Sequence, residues 1–147
     1  MVNPVLLTGI AAWAVAQILK LMIATAVYRK FDIVYLTTGG GMPSSHSALV
    51  CSTAVACGVS AGFDAPVFAV AVVVAFIVMY DAAHVRRETG EQAKILNYMM
   101  EHWNQMKPEE LFDRALKELI GHTPLQVFMG AVLGAAIGWG GGWFFTR

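Results

Sequence analysis

Charge is scarce in this chain. Of its 147 residues only 14% are Asp, Glu, Lys or Arg, ten of each sign, while 57% are hydrophobic. An ordinary soluble domain carries about a quarter charged residues, so the composition excludes that class and points to an integral membrane protein. The zero net charge excludes a polybasic membrane tail and gives no footing for nucleic acid. Cysteine is nearly absent as well. Cys51 and Cys57 fall in one apolar stretch on different faces of a helix, which argues against a disulfide or a paired metal site and for buried free thiols. The first apolar run has no basic segment before it and is long, so it reads as a retained membrane helix and not as a secretory signal.

What the chain has in quantity is apolar runs of spanning length, for which roughly 20 residues are needed. Four segments qualify: about 4–28, 44–62, 65–83 and 123–145. The expected fold is therefore an all-α integral membrane protein with about four transmembrane helices, a single domain over 1–147. In the fourth segment Gly130, Gly134, Gly138 and Gly142 recur every fourth position, a face that permits close backbone approach to another helix, within the chain or across a homodimer. Between the third and fourth segments lies a long polar region. Its two halves, "EQAKILNYMMEHWNQM" and "KPEELFDRALKELIG", predict two short amphipathic helices at the membrane interface. Arg29, Lys30, Arg86, Arg87, Lys94, Lys107, Arg114 and Lys117 all fall in the loops after the first and third segments. The positive-inside tendency places that side in the cytoplasm and both termini outside.

Nearly every side chain able to do chemistry collects on that same side. Lys20 lies toward the end of the first helix, "GGGMPSSHSA" opens the second, "DAAHVRRETG" follows the third and "GHTPLQ" opens the fourth. A lysine inside a membrane helix is costly, so Lys20 is either functional or snorkels to the interface. Gly41, with the glycines beside it, and Ser44 and Ser45 have the makings of an anion cradle above a helix N-terminus, with Pro43 suited to the first helical position. The bland alternative is a glycine loop with a serine cap. His122 and Gln126 stand four apart, so the amide can bind one imidazole nitrogen and leave the other free. Together with His46, Lys20, Arg86 and Arg87, these groups suit a phosphoryl dianion, a nucleophile and a general acid.

At these residues the chain resembles the divergent, short branch of the type 2 phosphatidic acid phosphatase superfamily, whose relatives include vanadium-dependent haloperoxidases. "TGGGMPSSHSA", "DAAHVRRETGEQAKILN" and "ELIGHTPLQVFMGAVLG" carry the resemblance, which covers nearly the whole chain. It implies hydrolysis of a lipid phosphate or polyprenyl (pyro)phosphate without metal or other cofactor, through a phosphohistidine, with vanadate as a phosphate-mimicking inhibitor. By the same resemblance His122 is the nucleophile and His46 the acid. Lys20, Ser44, Ser45, Gly41 and either Arg86 or Arg87 bind phosphate. Three positions depart from the wider pattern: Val27 replaces an arginine, Ser45 a glycine, and Gln126 the aspartate that orients the nucleophile. Asp81 or Glu88 is then the candidate to supply the missing carboxylate. A non-catalytic lipid-phosphate binder or transporter on the same scaffold is the alternative. The expected location is a bacterial inner or plasma membrane, or a plastid membrane.

Overall fold

Asn3 and Pro4 start the first helix. The Asn3 side chain accepts hydrogen bonds from the Val5 and Leu6 amides at 2.9 and 3.2 Å, and Pro4 occupies a position where no N–H is needed. The computed structural model describes residues 3–36, 40–102 and 121–145. Helix α1 (Pro4–Tyr28) ends at Arg29, whose left-handed φ of 51° turns the chain out of the helix. A short 3₁₀ turn follows at Ile33–Leu36, then α2 (Ser45–Ala61), α3 (Pro66–Tyr80), a π turn at Asp81–Val85, α4 (Arg86–His102) and α5 (Pro124–Phe145). No strand occurs among the described residues.

The bundle is inverted relative to a soluble protein. Its buried apolar residues are mostly alanines, including Ala12, Ala16, Ala48, Ala54 and Ala56, while Leu6, Ile18, Met22, Phe76, Ile77 and Phe128 are exposed. In lipid the large side chains lose nothing by facing outward, and association depends on how closely backbones approach. Helix α2 is the hub, packed against α1, α3 and α5. The glycine face of α5 lies on it. A Cβ at Gly130, Gly134 or Gly138 would overlap the carbonyl oxygens of Ser44, Ala48 and Ser52 in turn, and one at Gly142 would press on Val59. The close approach expected of that face is thus made within one chain, and α2 already covers the surface considered for a homodimer. Gly134→Leu is accordingly expected to destabilise the monomer by overpacking, by about 1–3 kcal/mol or more. An unchanged thermal unfolding midpoint in detergent would contradict this packing.

Three helices are long and apolar enough to cross a membrane: Pro4–Tyr28, Pro66–Glu101 and Pro124–Phe145. The fourth expected span, α2, is apolar but has only 17 residues. A second difference concerns the polar region after α3. In place of a separate interfacial helix, α4 continues α3 through the π turn as one helix, because the polar residues from His84 onward interrupt hydrophobicity without interrupting helix formation. The other amphipathic helix expected there falls within residues 103–120, outside those described.

Candidate active site at the starts of α2 and α5

Three contacts between backbones and one between backbone and side chain bring the polar ends to one level. The Ser44 amide donates to the Gln126 carbonyl at 3.0 Å, joining the start of α2 to the first turn of α5. The His122 amide donates to the Ala82 carbonyl at 2.9 Å, docking the α5 leader on the π turn. Gly121, at φ 96°, rests on the backbone of Arg86 and Arg87, where any Cβ would collide with main-chain atoms. Gly41, at φ 100°, lies on the stem of Lys20; a Cβ there would stand 3.2 Å from the lysine Cγ and Cδ. These last two glycines are required both by conformation and by space.

The π turn has a local purpose. Its wider i→i+5 bond runs from the Arg86 amide to the Asp81 carbonyl, and the neighbouring Ala82 carbonyl receives His122. The turn thus both holds the candidate nucleophile and carries Arg86 past the bundle.

His122 itself is 2% exposed. Its Nδ1 lies 3.2 Å from Gln126 Oε1, and the same oxygen accepts the Thr123 amide at 3.1 Å, while the Gln126 amide donates to Thr123 Oγ1 at 3.3 Å. Thr123 and Gln126 therefore form a capping box at the start of α5. That box decides the tautomer. Because the Thr123 N–H requires an acceptor, the amide must present its oxygen, and an oxygen facing Nδ1 requires Nδ1 to carry the proton. Nε2 is left with its lone pair free; it is buried and has no hydrogen-bond partner, although the Gly41 backbone approaches the ring. Burial pushes the His122 imidazole down to about 4; the Gln126 bond and the Gly41 backbone oppose this, while the Lys20 and His46 charges act with it. At neutral pH it is an uncharged base.

His46, exposed in the first turn of α2, stands beside it with ring centroids 6.2 Å apart and planes at 64°. Lys20, only 4% exposed, and Arg86 bring positive charge to His46, and Asp81 brings the opposite sign. None of the described carboxylates forms an ion pair with Lys20. Of the two candidate arginines, Arg86 is the one whose charge reaches His46, and Arg87 meets the site through its backbone against Gly121.

Two expected roles change. Asp81 does not orient His122: its carboxylate pairs with Arg86 Nε at 2.5 Å, and Nδ1 of His122 is already taken by Gln126. Ser44 is fully buried, and its hydroxyl accepts from the Ser47 amide at 3.4 Å and the Ser47 hydroxyl at 3.0 Å, so it serves as the N-cap of α2. Ser45, 2% exposed, lies in the first turn beside His46. Sequence reasoning missed Thr123, although Thr-Pro-Leu-Gln is a readable capping-box signature, and missed the Ala82 carbonyl, for which composition carries no signal.

A family model described as the divergent PAP2 family matches residues 1–137. The chain belongs to that family. It is also 39% identical over 138 residues to the uncharacterized membrane protein YuiD of Bacillus subtilis (strain 168), covering 88% of this chain and 87% of the relative. No solved structure matches it. The family and the relative agree with the helices in identifying a membrane protein.

Proposed function

We propose that this divergent PAP2 protein is a membrane phosphatase that hydrolyses a lipid phosphate or polyprenyl (pyro)phosphate through a phosphohistidine. The observation that carries this reading is the buried Nε2 of His122, which makes no hydrogen bond, kept a free base by burial, turned by Gln126 and set beside Lys20 and His46. In the forward step Nε2 attacks phosphorus, the P–O bond to the lipid breaks, and His46 supplies a proton to the departing oxygen. Water then attacks phosphorus while His46 accepts its proton, and the P–Nε2 bond breaks, releasing phosphate and restoring neutral His122. Lys20 and Arg86 meet the charge on the phosphoryl oxygens, as do amides near Gly41 and Ser45, so the scheme calls on no metal. Vanadate, as a phosphate mimic, should compete for the same place.

Gln126 in place of a carboxylate favours a second reading, a lipid-phosphate binder that does not turn over, since an amide orients the ring without stabilising an imidazolium. Trapping decides between them. Purified protein given a labelled lipid phosphate with EDTA present should yield an acid-labile, base-stable phosphoprotein and free phosphate; saturable binding without either product supports the binder. The acidic limb of phosphoprotein formation is expected near pH 4, where His122 takes up its proton, in place of the ordinary histidine value near 6.5. A limb at 6.5 would mean that a solvated histidine is the nucleophile. The excess of Lys and Arg after α1 and α3 favours a cytoplasmic site in a bacterial inner or plasma membrane, or the equivalent face of a plastid membrane. Labelling of a cysteine introduced in α4 from either side of sealed vesicles tests that orientation.

A further inference from the structure

Helix lengths fix how deep the pocket lies. From Pro4 to Lys20 α1 rises about 24 Å, and α2, which begins at the level of Lys20, rises about 25 Å to its far end. Helix α3 covers nearly the same distance before Ala82 meets His122. The helical stretch beneath the site is therefore somewhat shorter than the roughly 30 Å hydrocarbon core. Helix α1 continues about 12 Å beyond Lys20 to Tyr28. The chain then doubles back along it. Tyr35 stacks on Tyr28 with centroids 5.5 Å apart, and Leu36 accepts a hydrogen bond from Gln17 Nε2 at 3.1 Å, although Gln17 precedes Tyr28 by about three turns. Ile33 and Val34 of this returning segment are exposed, as suits lipid contact.

Between α1 and the returning segment lies a cavity of about 250 Å³. Its inner end is formed by Lys20, Gly41 and Gln126, and its outer walls include Ile23, Val27 and Tyr35. Val27 is 67% exposed on the lipid side of α1. The cavity thus joins a buried cation to the flank of the bundle through apolar walls.

We infer that this cavity is a side entrance holding the phosphate end of a single-chain lipid phosphate, of the alkyl or isoprenoid type, with its first carbons between Val27 and Tyr35. This rests on the phosphate-site reading and narrows its substrate. A diacylglycerol phosphate would place ester carbonyls against Ile23, Ala24 and Val27, where these side chains offer no donor and a desolvated carbonyl is penalised. A plain hydrocarbon carries no such penalty. The entrance also gives a physical use to Val27, which stands where the wider superfamily has an arginine.

The test is photolabelling of the purified protein in nanodiscs with a farnesyl-length isoprenoid monophosphate carrying a diazirine within its first few carbons. Label is expected on the α1 peptide containing Ile23 to Tyr28, and unlabelled isoprenoid monophosphate should displace it about tenfold better than a dioleoyl phosphatidic acid. Val27→Trp should cut labelling by a similar factor. Label on the apolar groove between α3 and α5 near Val72 and Val132, equal displacement by the diacyl lipid, or labelling that nothing displaces would each overturn the entrance. The phosphatase reading fails separately. Displaceable α1 labelling without any phosphoprotein leaves the entrance standing and the enzyme overturned, whereas phosphoprotein formation with label elsewhere does the reverse.

Discussion

His122→Asn is expected to abolish phosphoprotein formation and to lower phosphate release by on the order of 10⁶-fold, the scale lost when a covalent catalyst loses its nucleophile. Asparagine keeps a polar group in the buried place and can still bond Gln126, so the α5 start should remain folded. His46→Ala is expected to behave differently. The His46 side chain is exposed, so its loss should spare the fold. Release should fall by about 10²- to 10⁴-fold, the usual contribution of a general acid–base group. The loss should be smaller for a substrate whose leaving group is already a good one, because such a group needs less protonation. If both variants release phosphate at the unaltered rate, the phosphohistidine mechanism is wrong.

The second large effect concerns Gln126, where two substitutions should move in opposite directions. Gln126→Ala removes the oxygen shared by the Thr123 amide and His122 Nδ1. The lost capping bond should cost about 1 kcal/mol of stability. The freed tautomer should lower turnover by about 10- to 100-fold, as for loss of other residues that orient a reacting ligand. Gln126→Glu keeps the capping box, since glutamate serves equally at that position and its charge suits a helix N-terminus. It also places a carboxylate on Nδ1, which should raise the His122 pKa by about 1–3 units from its depressed value and increase phosphoryl transfer at neutral pH. The sign follows from the charge: a carboxylate stabilises the imidazolium, so the acidic limb moves up from about 4. An alanine variant that loses stability but keeps its turnover would reduce Gln126 to a helix cap.

Much of this architecture is legible in the residues. Pro4, Pro66 and Pro124 mark three helix starts, and the four-residue glycine spacing identifies the face of α5 that lies on α2. The gathering of Lys20, His46, His122 and the Arg86–Arg87 pair could be read because the apolar runs alternate direction and force their polar ends together, whereas the choice of Arg86 could not. What could not be read depends on partners distant in sequence. Asp81 is four residues from neither histidine, and only the π turn, which rotates the chain between α3 and α4, gives it to Arg86. Ser44 looks like a phosphate donor until it is seen fully buried as the N-cap of α2, accepting from Ser47. The short α2 misleads for a related reason: its first turn is level with Lys20, two turns below the end of α1, so it needs fewer residues than a full span.

The ties that hold His122 also set an order of events. Its leader is anchored to the Ala82 carbonyl, and the first turn of α5 is anchored to the Ser44 amide; both anchors belong to elements synthesised earlier. While a ribosome is still making the chain, Lys20, His46 and Arg86 are all in place before the imidazole proposed to attack has emerged. On the proposed mechanism, a half-inserted molecule would carry its phosphate-binding cations without its nucleophile, and hydrolysis would wait for the last helix to enter the membrane.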